Sequence, residues 1–194
     1  FLDVAVLPYL NRKEAFLMRR LNTRNIAYYA LLIGLNVVLT RVGSIRIGGG
    51  GLEIIRIGFG GFPIIFAGIV FGPVAGAIVG AIGDIIGMII SPIGPYMPHF
   101  TLNAALTGVI PGLIMMRCKD KDCKTSFINL FVAIAVGQVI TSIVLWAYFM
   151  RTLFSIPLAT ILPGRIISQL VNIPIYSYMM KVILSRLPLA LDTK

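Results

Sequence analysis

Phe71-Gly72-Pro73-Val74-Ala75-Gly76-Ala77-Ile78-Val79-Gly80-Ala81-Ile82-Gly83-Asp84-Ile85-Ile86-Gly87 is the stretch around which the chain is organised. Gly72, Gly76, Gly80 and Asp84 recur every fourth residue, so on a helix they share one face. Three glycines in that row make a groove that another backbone can approach closely, the small-xxx-small pattern of membrane helices. One turn further on stands a carboxylate among apolar residues. A charge in hydrocarbon is expensive, so Asp84 is expected to face protein, water or a ligand.

Composition sets the class. Hydrophobic residues make up 58% and charged residues 12% of the 194 residues. Soluble domains average about 25% charged, and the mean hydropathy is +0.94, so the chain reads as an integral membrane protein. Its length allows about six spans of roughly 20–25 residues with short loops. No room is left for a soluble catalytic or ATP-binding domain. The net charge of +10 is read as Lys and Arg beside membrane spans rather than as a nucleic-acid surface. Cys118 and Cys123 stand in a charged loop with too few companion ligands for a metal, and are read as reduced cytosolic thiols.

Residues 1–23 are read as a cytoplasmic lead-in, interfacial in part and in part of vector origin. Their positive charges follow the apolar run instead of preceding it, which is not the order of a signal peptide. Residues 24–194 are read as one six-helix membrane domain. The first span is expected at 25–41, with Ala30 and Gly34 a second small pair, either for internal packing or for docking a partner. Residues 42–53 hold four successive glycines and are expected to be an irregular outer loop, a lid or a slack connection. The second span is expected at 54–70, weakened in its first half by glycines and Pro63. The third is expected at 74–90, and three prolines in 91–100 end it. The fourth is expected at 101–116 with Thr101 as N-cap, the fifth at 127–150, and the sixth at 160–184.

Charge placement orients the spans. With the N-terminus inside, twelve Lys and Arg lie inside and Arg41, Arg46, Arg56, Arg151 and Arg165 lie outside, so N-in, C-in is expected. All six lysines are inside; the outer cations are all arginines. Lipid anchoring works with either residue, whereas a planar fork of donors suits carboxylates and stacks on flat rings. Glu53 and Asp84 are too few to neutralise five arginines, so an anion-attracting outer pocket is expected.

Other chemistries find no support. There is no G-x-x-x-x-G-K-[ST] loop, no H-E-x-x-H and no G-x-S-x-G. One histidine and no Ser/His pairing argue against an intramembrane hydrolase. A lone Asp84 gives no proton relay for self-powered transport. What remains is a small membrane binder with an outer pocket, working with a partner.

Leu35-Asn36-Val37-Val38-Leu39-Thr40-Arg41, Arg56-Ile57-Gly58-Phe59 with Pro63-Ile64, and Gly68 followed by the ladder from Phe71 to Asp84 resemble the folate-specific substrate-binding (S) components of energy-coupling factor vitamin transporters. Phe100-Thr101-Leu102 with Ala105-Leu106 and Gly108, and Leu162-Pro163-Gly164-Arg165 with Gln169 and Pro174-Ile175, fit the same pattern. The resemblance spans about residues 24–185. It departs at Pro98-His99, where the family has Pro-Gly, and at Ile143-Val144-Leu145-Trp146, where it has Asn-Thr-x-Trp. The resemblance implies a six-helix S component of a prokaryotic plasma membrane that captures a vitamin at the outer face. It implies no catalysis and no cofactor in this chain, with ATP hydrolysed by two partner ATPases acting through a transmembrane coupling subunit. It implies that Ala30 and Gly34 dock that subunit.

Folate carries a flat pterin, a benzoyl ring and two carboxylates. The ligand set expected for it is Arg41, Arg46, Arg56, Asp84, Tyr96, His99, Phe100, Asn103, Trp146, Arg165 and Gln169. Arginines suit the carboxylates. Trp146, Tyr148, Tyr96 and Phe100 suit the rings or an outer aromatic belt. Gln169 and Asn172 suit pterin edges or breaks near Pro163 and Pro174. Asp84 is expected either to clamp Arg41, Arg46 or Arg56 or to accept from a pterin. The alternatives are an S component for riboflavin or thiamine, and a stand-alone carrier or channel for a small organic anion.

Overall fold

Apolar segments in hydrocarbon have to close their backbone hydrogen bonds internally, which favours helix along most of this chain. A computed structural model describes residues 23–41, 43–47, 55–91, 96–118, 123, 125–155 and 157–186. The expected lead-in lies outside the described residues save for its last position. In chain order the elements are α1 (Thr23–Arg41), β1 (Ser44–Ile47), β2 (Ile55–Gly58), α2 (Gly61–Val70), α3 (Pro73–Ile90), α4 (Pro98–Met116), α5 (Phe127–Gln138), a π-helical segment (Val139–Leu145), α6 (Trp146–Phe154) and α7 (Leu158–Arg186). From α5 through α6 the helix is continuous, so the helices among the described residues reduce to six rods. Four are long and apolar enough to cross a membrane: α3, α4, Phe127–Leu153 and Leu162–Arg186. Asn25–Arg41 and Gly61–Val70 are shorter apolar helices.

The glycine ladder of α3 forms the central seam. A Cβ on Gly76 would lie 2.8 Å from Gly68 Cα on α2 and 2.9 Å from the carbonyl carbon of Gly108 on α4. One on Gly112 would lie 2.6 Å from the Gly68 carbonyl oxygen, and one on Gly80 would overlap the backbone of Ala104. Three backbones therefore meet where the row of small residues predicts close approach. Around the seam, Tyr29, Leu32, Ile64, Ala67, Ala75 and Val79 join α1, α2 and α3. A second apolar cluster, including Phe62, Ile65, Met115, Leu130, Ile134, Tyr176 and Met180, joins α2, α4, α5 and α7.

Several expectations are corrected. The loop after α1 is not irregular throughout. Ser44–Ile47 pairs antiparallel with Ile55–Gly58, with Arg46 opposite Arg56. The cause is visible in the sequence, since Ile45-Arg46-Ile47 and Ile55-Arg56-Ile57 alternate with the period of a strand. The ribbon takes residues 55–58 from the expected second span, and α2 starts only at Gly61. Thr101 is not an N-cap; α4 begins at Pro98 after Met97, because proline is suited to the first helical position. Helix α7 passes without a break through Pro163 and Pro174, so the expected breaks there do not occur. Cys118 and Cys123 are not free thiols but are bonded to each other. Their Cα atoms stand 5.6 Å apart, within the span of a disulfide.

Candidate functional site

Loops on alternate sides of the rods leave the end of α1, the ribbon, the end of α3, and the starts of α4 and α7 at one end of the bundle. That end gathers most of the expected ligand residues. The ladder of α3 carries Asp84 there, one rung beyond Gly80. Helix α4 runs antiparallel to α3, and the residue it sets against Asp84 is Thr101. Thr101 Oγ1 donates to Asp84 Oδ2 at 2.8 Å. The Tyr96 hydroxyl lies 3.1 Å from Thr101 Oγ1. The hydroxyl expected to cap a helix thus holds the carboxylate instead.

Phe100, next to Thr101, starts an aromatic group. Its ring centroid is 4.9 Å from that of Trp146 and 6.3 Å from Phe149, which it meets edge-on. His99 meets Phe149 edge-on at 5.4 Å. The guanidinium carbon of Arg165 lies over the Trp146 ring, 4.1 Å from its centroid. Arg165 is buried, so the cation–π contact is made away from water, where it is worth ~2 kcal/mol. One turn along α7, Gln169 is also buried. Its Oε1 is a buried acceptor with no hydrogen-bond partner, as is Asn103 Oδ1 on α4. A buried unsatisfied acceptor costs about 1–3 kcal/mol, and such groups call for an explanation such as a ligand or water. This end of the bundle thus carries a carboxylate with two hydroxyls, packed aromatic rings, a buried cation and two amide acceptors. It can stack a flat ring, hold an anion and accept from ring N–H groups.

The other expected residues are less tightly grouped. The Arg41 guanidinium packs against Gly87, one turn beyond Asp84. Arg46 and Arg56 are cross-strand partners in the ribbon by register. Their side chains lie outside the described residues, so the clamp between Asp84 and these two falls outside them as well. Tyr148 meets Phe149 edge-on at 5.9 Å but is 62% exposed, so it stands at the outer margin of the group. Ala30 and Gly34 lie on the exposed face of α1, and a Cβ on Gly34 would meet nothing within 4 Å.

Sequence reasoning missed four functional neighbours. Phe149 joins the aromatic group and was signalled by its i, i+3 spacing from Trp146. Thr101 was assigned to a cap. Asn36, buried, donates from Nδ2 to the Gly60 carbonyl at 2.6 Å and ties α1 to the start of α2. The Tyr176 hydroxyl donates to the Gly58 carbonyl and ties α7 to the ribbon. The last two span distances along the chain that no local pattern reveals.

Comparison with known proteins agrees with this arrangement. The family model described as "ECF-type riboflavin transporter, S component" matches residues 20–187. The folate transporter FolT of Clostridium novyi (strain NT) is 31% identical over 160 residues, covering 82% of this chain and 86% of that protein. A solved structure, the crystal structure of FolT bound with folic acid, superposes with a TM-score of 0.71 at 26% identity, covering 86% of this chain and 97% of that one. Matched over most of its length in sequence and in fold, the chain belongs to the S components of ECF-type transporters, multi-pass membrane transport proteins and not enzymes.

Proposed function

We propose that this chain binds folate at the end of the bundle built by Asp84, Thr101, Phe100, Trp146 and Arg165. The observation that carries the reading is the buried Arg165 beneath Trp146, 4.1 Å from its ring. A flat ring needs the aromatic group, and a dicarboxylate tail needs buried cations. Riboflavin, named by the matching family model, has the flat ring but no carboxylate. The relatives named for folate and folic acid support the first ligand. Asp84 Oδ1, Asn103 Oδ1 and Gln169 Oε1 supply acceptors for the amino edge of a pterin.

The chain works with an ECF coupling subunit and ATPases that hydrolyse ATP on its behalf. Family membership supports this, as does the exposed small-residue face of α1 at Ala30 and Gly34. The charge asymmetry supports N-in, C-in, with the site outside. In that orientation the Cys118–Cys123 bond stands on the inner side, an uncommon place for a disulfide.

Calorimetric titration of the purified chain tests the ligand. Folate is expected to bind tightly at one per chain, and riboflavin weakly or not at all. Tight riboflavin binding with no heat from folate moves the ligand and keeps the class. Uptake into liposomes by this chain alone overturns the dependence on partners.

A further inference from the structure

The π-helical segment Val139–Leu145 interrupts a rod that is otherwise α-helical on both sides. Its geometry is explicit: the Trp146 N–H donates to the Thr141 carbonyl, five residues back. The local sequence favours it. Val139, Ile140, Thr141, Ile143 and Val144 are β-branched and crowd an α-helix. Thr141 Oγ1 also donates to the Gly137 carbonyl at 2.8 Å, and Ser142 Oγ to Gln138 Oε1 at 2.9 Å.

The consequence is rotational. At roughly 100° per residue, an unbroken α-helix puts Ile134, Gln138, Thr141, Leu145 and Tyr148 on one face. The first three are buried, with Thr141 at 0% exposure. Beyond the π segment the pattern slips. Tyr148 is 62% exposed, while Phe149 is 7% and Met150 9% exposed. A turn closing i to i+5 holds back everything after it by about one residue. Trp146, Phe149 and Met150 therefore take the inner face that Leu145 and Tyr148 would occupy.

We infer that the π segment is a one-residue insertion that sets the register of the ligand site, turning Trp146 and Phe149 toward Phe100 and Arg165 and turning Tyr148 away. The ligand part of this inference rests on the folate reading; the register part does not. The segment is a positioning element, since it acts through Trp146.

Trp146 is the single tryptophan of the chain, so its fluorescence reports this position alone. In bilayers holding phosphatidylcholine brominated near the headgroup, wild-type Trp146 is expected to be weakly quenched by lipid. The double variant Trp146→Phe/Tyr148→Trp moves the reporter two residues and is expected to be quenched severalfold more. Equal or reversed quenching overturns the register. Deletion of Val144, which is 57% exposed, is expected to convert the segment to α-helix without rotating Trp146, leaving lipid quenching and folate titration near wild type. A deletion that drives Trp146 into lipid overturns the insertion. The lipid arm needs no ligand. A wild-type chain that shows the expected quenching yet ignores folate upholds the register and overturns the ligand reading instead.

Discussion

Arg165 carries the charge argument at the scale of single residues. Its guanidinium is buried, lies over Trp146 and is one turn from Gln169. Arg165→Ala is expected to weaken folate binding by about 10–100-fold, the worth of a charge-assisted hydrogen bond or two. Arg165→Lys is expected to recover little of it, because an ammonium loses both the planar fork and the stacking face. Calorimetry with folate measures both. Asp84 tests a different chemistry. The amide of Asp84→Asn still accepts from Thr101, so the folded state is expected to melt in detergent near the parent temperature. The negative charge that strengthens hydrogen bonds to a pterin is lost, and folate affinity is expected to fall by about tenfold. A large drop in melting temperature instead assigns Asp84 to holding the fold through an arginine.

Helix α3 and its partners show how one periodic feature sets an element pair. Gly76 and Gly80 of α3 face a matching row on α4, Gly108 and Ala104, with Gly112 against Pro73 and Gly68, because the two helices run antiparallel. That second row also repeats every fourth residue, so both halves of the seam stand in the sequence. A Cβ at Gly76 meets backbone atoms at 2.8 and 2.9 Å, and backbone has little room to yield. Gly76→Val is expected to destabilise the chain by about 1–3 kcal/mol, seen as a lower melting temperature in detergent. Gly34 on α1 is the contrast, since it faces open space. Gly34→Leu is expected to leave melting and folate binding unchanged. In liposomes with the coupling subunit and ATPases it is expected to abolish uptake, because a large side chain blocks a face that another helix must approach. Unimpaired uptake removes Ala30 and Gly34 from the docking surface.

At the scale of the whole molecule, the site is assembled from five segments that are far apart in the chain, α1, α3, α4, the α5–α6 rod and α7. The membrane class, the six rods and the ladder were legible from composition and spacing, because they follow from local periodicity and apolar length; the resemblance to S components rested instead on short motifs in order along the chain. The ribbon was legible too, in its two Ile-Arg-Ile runs, but the four glycines between them masked it. Phe100, Trp146 and Arg165 were named from residue type; their stacking was not, since it depends on the rotation of three rods. The same limit explains Tyr148, which sequence reasoning placed with Trp146. Residue type favoured both, but residues two apart cannot share a helix face, and the π segment decided which of them turned inward. The sequence by itself determined a basic, helical membrane protein with small-residue seams. The tertiary structure alone decided that Thr101 holds Asp84, that Trp146 covers Arg165, and that Cys118 joins Cys123. Hydropathy and helical spacing are properties of neighbours along the chain, whereas these contacts are set by the rotation and offset of packed rods.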